Sequence, residues 1–159
     1  MKGRLVLLLL CVSTLSGCAT ARLYPVQGPL ATQTPSPVYV AKFTGAFNSG
    51  NFSVVLGDGE VCKGRWAQVP RPKTSDATTP ATAVPANNLA AEWDTVYGTG
   101  FYVAHVLGAR LYARSVVTGN RGTVLNVELY KPNSVENTTT AAIKGVAKDN
   151  KSNIYKVAF

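Results

Sequence analysis

Cys62 and His105 are the pair whose residue types could do covalent chemistry in this chain. A cysteine attacks a carbonyl once a histidine has taken its proton, and a carboxylate such as Asp58 or Asp94 would orient the imidazole. The local context points to something plainer. His105 is the single histidine, and it lies inside the apolar stretch 101–107. Cys62 shares a strand face with Trp66, where a free cysteine behaves as a small buried hydrophobe. Neither sits in a G-x-S-x-G elbow or a papain-like surround. The expectation is a core thiol, a half-exposed histidine, no catalytic residue and no enzymatic activity.

Other chemistries have less to stand on. A zinc site needs three or four ligands, and one histidine with scattered carboxylates does not supply them, so no metal and no cofactor is expected. Glu92 and Asp94 are close in sequence, but residues two apart on a helix point to different faces. Distant carboxylates could still meet as a glycosidase pair, though no spacing favours it. Gly98-Thr99-Gly100 opens like a dinucleotide loop, yet position 103 is valine and no strand–loop–helix unit surrounds it. The basic residues carry more. Lys63 with Arg65, Arg110 with Arg114, and Lys144 with Lys148 are two or four apart on expected strands, so each pair falls on one side. On neighbouring strands they would merge into a positive surface for an anionic partner. The competing reading is an ordinary solvated face, with Arg114 or Arg110 paired across a hairpin to Glu128.

The elements that would position these groups are mostly strands. Tyr39, Ala41, Phe43, Gly45 and Phe47 alternate with Val40, Lys42, Thr44 and Ala46, a period of two with an aromatic inner face. Phe52, Val54 and Leu56 continue it. Gly57-Asp58-Gly59 reads as a hairpin turn, and Glu60 to Trp66 as the return strand. Residues 70–88 hold four prolines among threonine and alanine, a flexible surface loop. A short helix is expected over 89–97, ended by Gly98 and Gly100. Residues 101–107 are apolar and β-rich, a composition that admits a strand or a helix. Further strands are expected at 110–117, 123–130, 142–148 and 154–159, with turns at 119–122 and 149–153. The fold class is mainly β: a small antiparallel sandwich or partly open barrel of six to eight strands.

The N-terminus says where the chain works. Lys2 and Arg4 precede the apolar run 5–12, and Leu15-Ser16-Gly17-Cys18 follows. A basic start, a short apolar run and small residues describe an export signal. A run of about eight is far short of the roughly 20 that cross a bilayer. The stretch resembles the lipobox of bacterial lipoproteins. That resemblance implies a diacylglyceryl group on the Cys18 thiol, cleavage just before it, and loss of residues 1–17. Ala19 stands where an aspartate would retain such a protein in the inner membrane. The resemblance therefore implies the outer membrane, with the protein facing the periplasm.

Several bounds follow. The 159 residues less the first 17 leave 142, enough for one domain. Sixteen basic residues, less Lys2 and Arg4, face 8 acidic ones, a net charge of +6. That excess suits anionic envelope components such as lipopolysaccharide or peptidoglycan. No run of Lys or Arg exceeds three residues, and the compartment is wrong, so nucleic acid is not an expected partner. Cys62 would remain as the lone thiol, with no internal disulfide. Residues 18–37, with prolines at 25, 29, 35 and 37, read as an extended tether, and residues 38–159 as a single β domain.

Beyond residue 18 the chain resembles small bacterial lipoproteins only loosely. The expected role is a non-catalytic binding or structural module of the envelope, which also admits an envelope-protein partner. The alternative is an inhibitor or accessory subunit, which needs a protruding loop such as 70–88 or the 119–122 turn. Tyr155, Val157 and Phe159 are similar to the closing strand of outer-membrane barrels, but lysines at 144, 148 and 156 would sit badly in lipid.

Overall fold

The computed structural model describes residues 17–46, 48–70, 89–107, 111–132 and 142–159. Among these residues eight antiparallel strands follow one another around a closed barrel. They are β1 (Gly17–Gln27), β2 (Tyr39–Ala46), β3 (Ser49–Val55), β4 (Val61–Gln68), β5 (Leu111–Gly119), β6 (Val124–Tyr130), β7 (Lys144–Asp149) and β8 (Ile154–Ala158). Every strand pairs with its neighbour in sequence, and β1 also pairs with β8, matching Leu23 to Val157 and Tyr24 to Lys156. Closure leaves no strand edge unpaired.

Alternation builds the interior. Leu23, Tyr39, Phe52, Val54, Val117, Leu125, Tyr155 and Val157 point inward and form one buried cluster. Eight strands enclose a space that side chains fill. Small inward residues make that possible: Ala21, Ala41, Ala113 and Ala147 are buried opposite the large ones. Phe43 and Phe52 meet edge to face with centroids 4.5 Å apart.

The expected tether at 18–37 is corrected by this arrangement. Residues 17–27 are the strand that closes the barrel, paired residue by residue with β2 from Gly17↔Gly45 to Leu23↔Tyr39. The signal was weak because two of its inward residues, Ala19 and Ala21, are small. Pro25 is tolerated because the pairing to β8 shifts register between Pro25 and Gln27. The β domain therefore begins some twenty residues before Val38. The flexible loop expected at 70–88 falls, from 71 onward, outside the described residues.

The segment between β4 and β5 carries helix α1 (Ala90–Tyr97). Eight residues make a marginal helix on their own, and packing holds this one. Leu89, Trp93, Val106, Leu111, Tyr130 and Val146 form a second buried cluster between α1 and the outer wall of the barrel. Gly98 ends the helix at φ 105° and donates its N–H to Asp94 O at 2.9 Å. Residues 101–107, whose composition suits a strand or a helix, take the helical form, with a π-helical turn over Tyr102–Val106. Asp94 Oδ1 accepts the Tyr102 N–H at 2.9 Å and starts that turn. Phe101 and Val106 find apolar partners against Trp93 and Tyr130 without a strand neighbour.

The wall is apolar inside, while its outer face mixes charged residues such as Lys42, Lys63 and Arg65 with exposed Val40, Val55 and Val116. A barrel that spans lipid needs a continuous apolar outer band and a polar interior. Tyr155, Val157 and Phe159, whose spacing is similar to an outer-membrane closing strand, all face the interior cluster. Among the described residues no helix is long and apolar enough to cross a membrane.

Candidate functional site

The barrel wall stands between the two residues that could have formed a nucleophile and base. Cys62 is fully buried inside, in the row Val54↔Cys62↔Gly119. Burial, reinforced by the charge of nearby Glu60, pushes its thiol pKa up. His105 is exposed on the outside, against the rings of Phe101 at 4.6 Å and Tyr130 at 6.3 Å. The carboxylates considered as orienting groups have other employment. Asp94 starts the π-helical turn. Asp58 Oδ1 accepts the Glu60 N–H at 3.0 Å and meets Arg121 at 3.2 Å.

The end of the barrel far from Cys18 is where polar groups converge. Glu60, in the connection from β3 to β4, is completely buried. Its Oε1 accepts the N–H groups of Arg121 at 2.9 Å and Thr123 at 3.0 Å. Its Oε2 accepts the Thr123 hydroxyl and lies 3.5 Å from Lys151 Nζ. The Thr123 hydroxyl and amide, more than any charge, hold the Glu60 pKa down at about 2. One carboxylate thus ties the β5–β6 and β7–β8 turns to its own. Gly119 must be glycine here, since a Cβ would collide with the Glu60 carboxylate.

Asp149 does the same work at the β7–β8 turn. Its Oδ1 accepts from Lys151 N at 2.9 Å and Asn153 N at 2.8 Å. Its Oδ2 accepts from Asn153 Nδ2 at 2.8 Å and the Tyr155 hydroxyl at 2.7 Å. Burial, and the hydrogen bond to Asp149, push the Tyr155 pKa far up. These groups border an open hollow of about 700 Å³ between Leu30, Tyr39, Leu56 and Tyr155. The carboxylates beside it are already committed. Among the described residues no buried side-chain nitrogen or oxygen lacks a partner, and no three potential metal ligands come together. The arrangement can stiffen turns.

Of the six basic residues expected to share a surface, the five among the described residues are dispersed. Lys63 and Arg65 lie exposed on the outer face of β4. Arg114 Nε is bound to Glu128 Oε1 at 3.0 Å, the cross-hairpin pair Arg114↔Glu128 that sequence spacing allowed. Lys148 Nζ meets Glu92 at 2.7 Å on α1. Lys144 sits over the rings of Tyr97 and Phe101 at 5.4 and 5.1 Å. Arg110 lies outside the described residues. Helix α1 therefore claims Lys144 and Lys148 and roofs the Arg114–Glu128 pair.

The cations that do join Lys63 and Arg65 were missed in sequence. Thr20↔Lys42, Lys42↔Ser53 and Ser53↔Lys63 form one cross-strand row, and Cys18↔Thr44, Thr44↔Asn51 and Asn51↔Arg65 the next. Arg22 follows on β1. Lys42 was legible as outward-facing, by its alternation with Ala41 and Phe43. Arg22 was hidden by the tether reading. Cys18 itself is exposed on β1, and its side chain faces outward because Ala19, Ala21 and Leu23 face in. Of the two loops an inhibitor could project, residues 71–88 lie outside the described residues. The other, 119–122, is bound down through the Arg121 N–H to Glu60. No family model, no curated protein and no solved structure matches this chain.

Proposed function

We propose that this chain is a lipid-anchored lipoprotein of the bacterial outer membrane, facing the periplasm, whose barrel is a non-catalytic binding or structural module of the envelope. The observation that carries the reading is Cys18. It ends the stretch Leu15-Ser16-Gly17-Cys18 and stands at the head of β1 with its side chain in solvent. A thiol in that position is open to acylation without disturbing the interior. Two or more acyl chains, each buried methylene contributing about 0.8 kcal/mol, hold a protein of this size durably at a bilayer. The non-catalytic half of the proposal rests on the committed state of the buried carboxylates and on the separation of Cys62 from His105.

The test is Cys18→Ser in cells, followed by membrane fractionation and mass spectrometry of the amino terminus. The expected result is a precursor that is not cut at residue 18, or protein released from the membrane fraction. Normal maturation and unchanged attachment would overturn the anchor. Crosslinking in intact cells then identifies what the barrel meets.

A further inference from the structure

Where the anchor emerges decides which surface of the barrel meets the bilayer. Cys18 is not followed by a spacer, because it is already the second residue of β1 and pairs with Thr44. Its side chain leaves the barrel sideways, through the outer wall, and not through the open end. Acyl chains on that sulfur would hold the outer wall of β1 to β4 within a headgroup's reach of the membrane.

The composition of that wall suits the neighbour. Arg22, Lys42, Lys63 and Arg65 are all exposed. The strands β1, β2, β3 and β4 contain no aspartate or glutamate. None of the four cations has an ion-pair partner among the described residues, where every ion pair involves Arg114, Arg121, Lys148 or Lys151. Lys42 and Lys63 are two strands apart, roughly 10 Å, a spacing within reach of adjacent lipid phosphates. Val40 and Val55 stand exposed beside them, at 50% and 53%, and offer apolar contact at the headgroup boundary. The opposite wall is different: α1 covers it, and its lysines are already engaged.

We infer that the outer wall of β1 to β4, with Arg22, Lys42, Lys63 and Arg65, is a docking surface for anionic phospholipid headgroups of the bilayer that holds Cys18. The inference rests on the lipid-anchor reading above and adds to it an orientation: the barrel lies on its side, wall to membrane. Each cation held near an anionic surface shifts the docked-to-free ratio about fivefold, and salt weakens the effect. A peptidoglycan partner would use the same charges, but it gives no reason for the anchor and the cations to share one wall.

The processed protein is purified from membranes, and the mass of its first residue is recorded. Val55→Cys and, as a control beyond the wall, Val103→Cys are each labelled with a polarity-sensitive fluorophore, Cys62 being sealed in the interior. Each is reconstituted into phosphatidylcholine vesicles with or without phosphatidylglycerol. The expected result is that phosphatidylglycerol shields the Val55 label from an aqueous quencher. Salt should restore quenching, and the Val103 label should stay open throughout. Lys42→Gln with Lys63→Gln should shift the docked-to-free ratio about 25-fold toward free, with an unchanged melting temperature.

Equal quenching at Val55 in both vesicles overturns the docking surface while leaving the anchor intact. Sedimentation with peptidoglycan sacculi but indifference to phosphatidylglycerol overturns it as well. A first residue without lipid sinks the anchor reading separately. Sedimentation of that same protein with phosphatidylglycerol vesicles then judges the wall, binding supporting it and its absence overturning it.

Discussion

Trp93 donates its indole N–H to Glu128 Oε2 at 2.9 Å, and Arg114 takes the other oxygen of the same carboxylate at 3.0 Å. This contact fastens a two-turn helix to the outside of a barrel. Both partners are buried, Trp93 completely and Glu128 to 2% exposure. A carboxylate on the outer face of β6 would normally be solvated. Here it is capped by an aromatic ring and satisfied from both sides.

Trp93→Phe should keep most of the packing and lose the hydrogen bond to a charged acceptor, at a cost of about 2 kcal/mol. Trp93→Ala should cost about 4 kcal/mol, since Tyr97, Phe101 and Tyr130 lose the ring they pack on. Urea denaturation read by circular dichroism checks both. Equal costs would mean that the indole N–H contributes nothing.

Stability should fall in acid, and Glu60 should shape the fall. Its pKa is lowered on folding, from 4.5 to about 2. A lowered carboxylate pKa adds stability above the unfolded value, and that part is lost as pH drops through the folded value. The window is therefore about pH 4.5 down to 2. Glu60→Gln should flatten the melting temperature across that window and leave the slope elsewhere unchanged. A variant with the same acid slope as the parent would remove Glu60 from the explanation.

Tyr155→Phe removes the hydroxyl that Asp149 Oδ2 receives at 2.7 Å. Asn153 still serves that oxygen, so the expected loss is about 1–2 kcal/mol. The parent tyrosine should also stay un-ionised at pH values where exposed tyrosines titrate, which the absorbance of phenolate near 295 nm reports.

Cys62 should resist alkylation in the folded protein and react once the barrel is unfolded, because it is buried and its thiol is pushed up. Iodoacetamide labelling along a urea series, followed by mass spectrometry, should trace the unfolding curve. Rapid labelling without denaturant would contradict a sealed interior.

How much of this could be read in the chain depends on side-chain size. β2 and β6 were plain because Tyr39, Phe43, Leu125, Val127 and Leu129 alternate with polar residues. The helix at 89–97 was plain because Leu89 and Trp93 recur at helical spacing. β1 was not, because alanine marks two of its inward positions and prolines follow. The sequence does not decide between strand and helix at 102–106, because its valines suit a strand equally well. Strand count came within range, but closure did not follow, since it depends on β1 meeting β8 across the whole sequence. The far-end network was invisible for the same reason. Glu60 and Thr123 are joined by a hydrogen bond over 63 residues, and no local pattern announces it. Of the five candidate cations among the described residues, Lys63 and Arg65 share an exposed face, while a helix placed by tertiary packing engages Lys144, Lys148 and the Glu128 partner of Arg114.

The β1–β8 seam sets an order of events. Residues 22–27 have no partner on one side until residues 154–158 arrive. A chain that folds before residues 154–158 are in place can zip hairpins from β1 onward, yet it keeps a ragged flank on both sides of the open seam, exposed to stray pairing. The last few residues act as the clasp of a bracelet. A deletion of residues 154–159 should yield an aggregating ribbon rather than a slightly weakened cylinder.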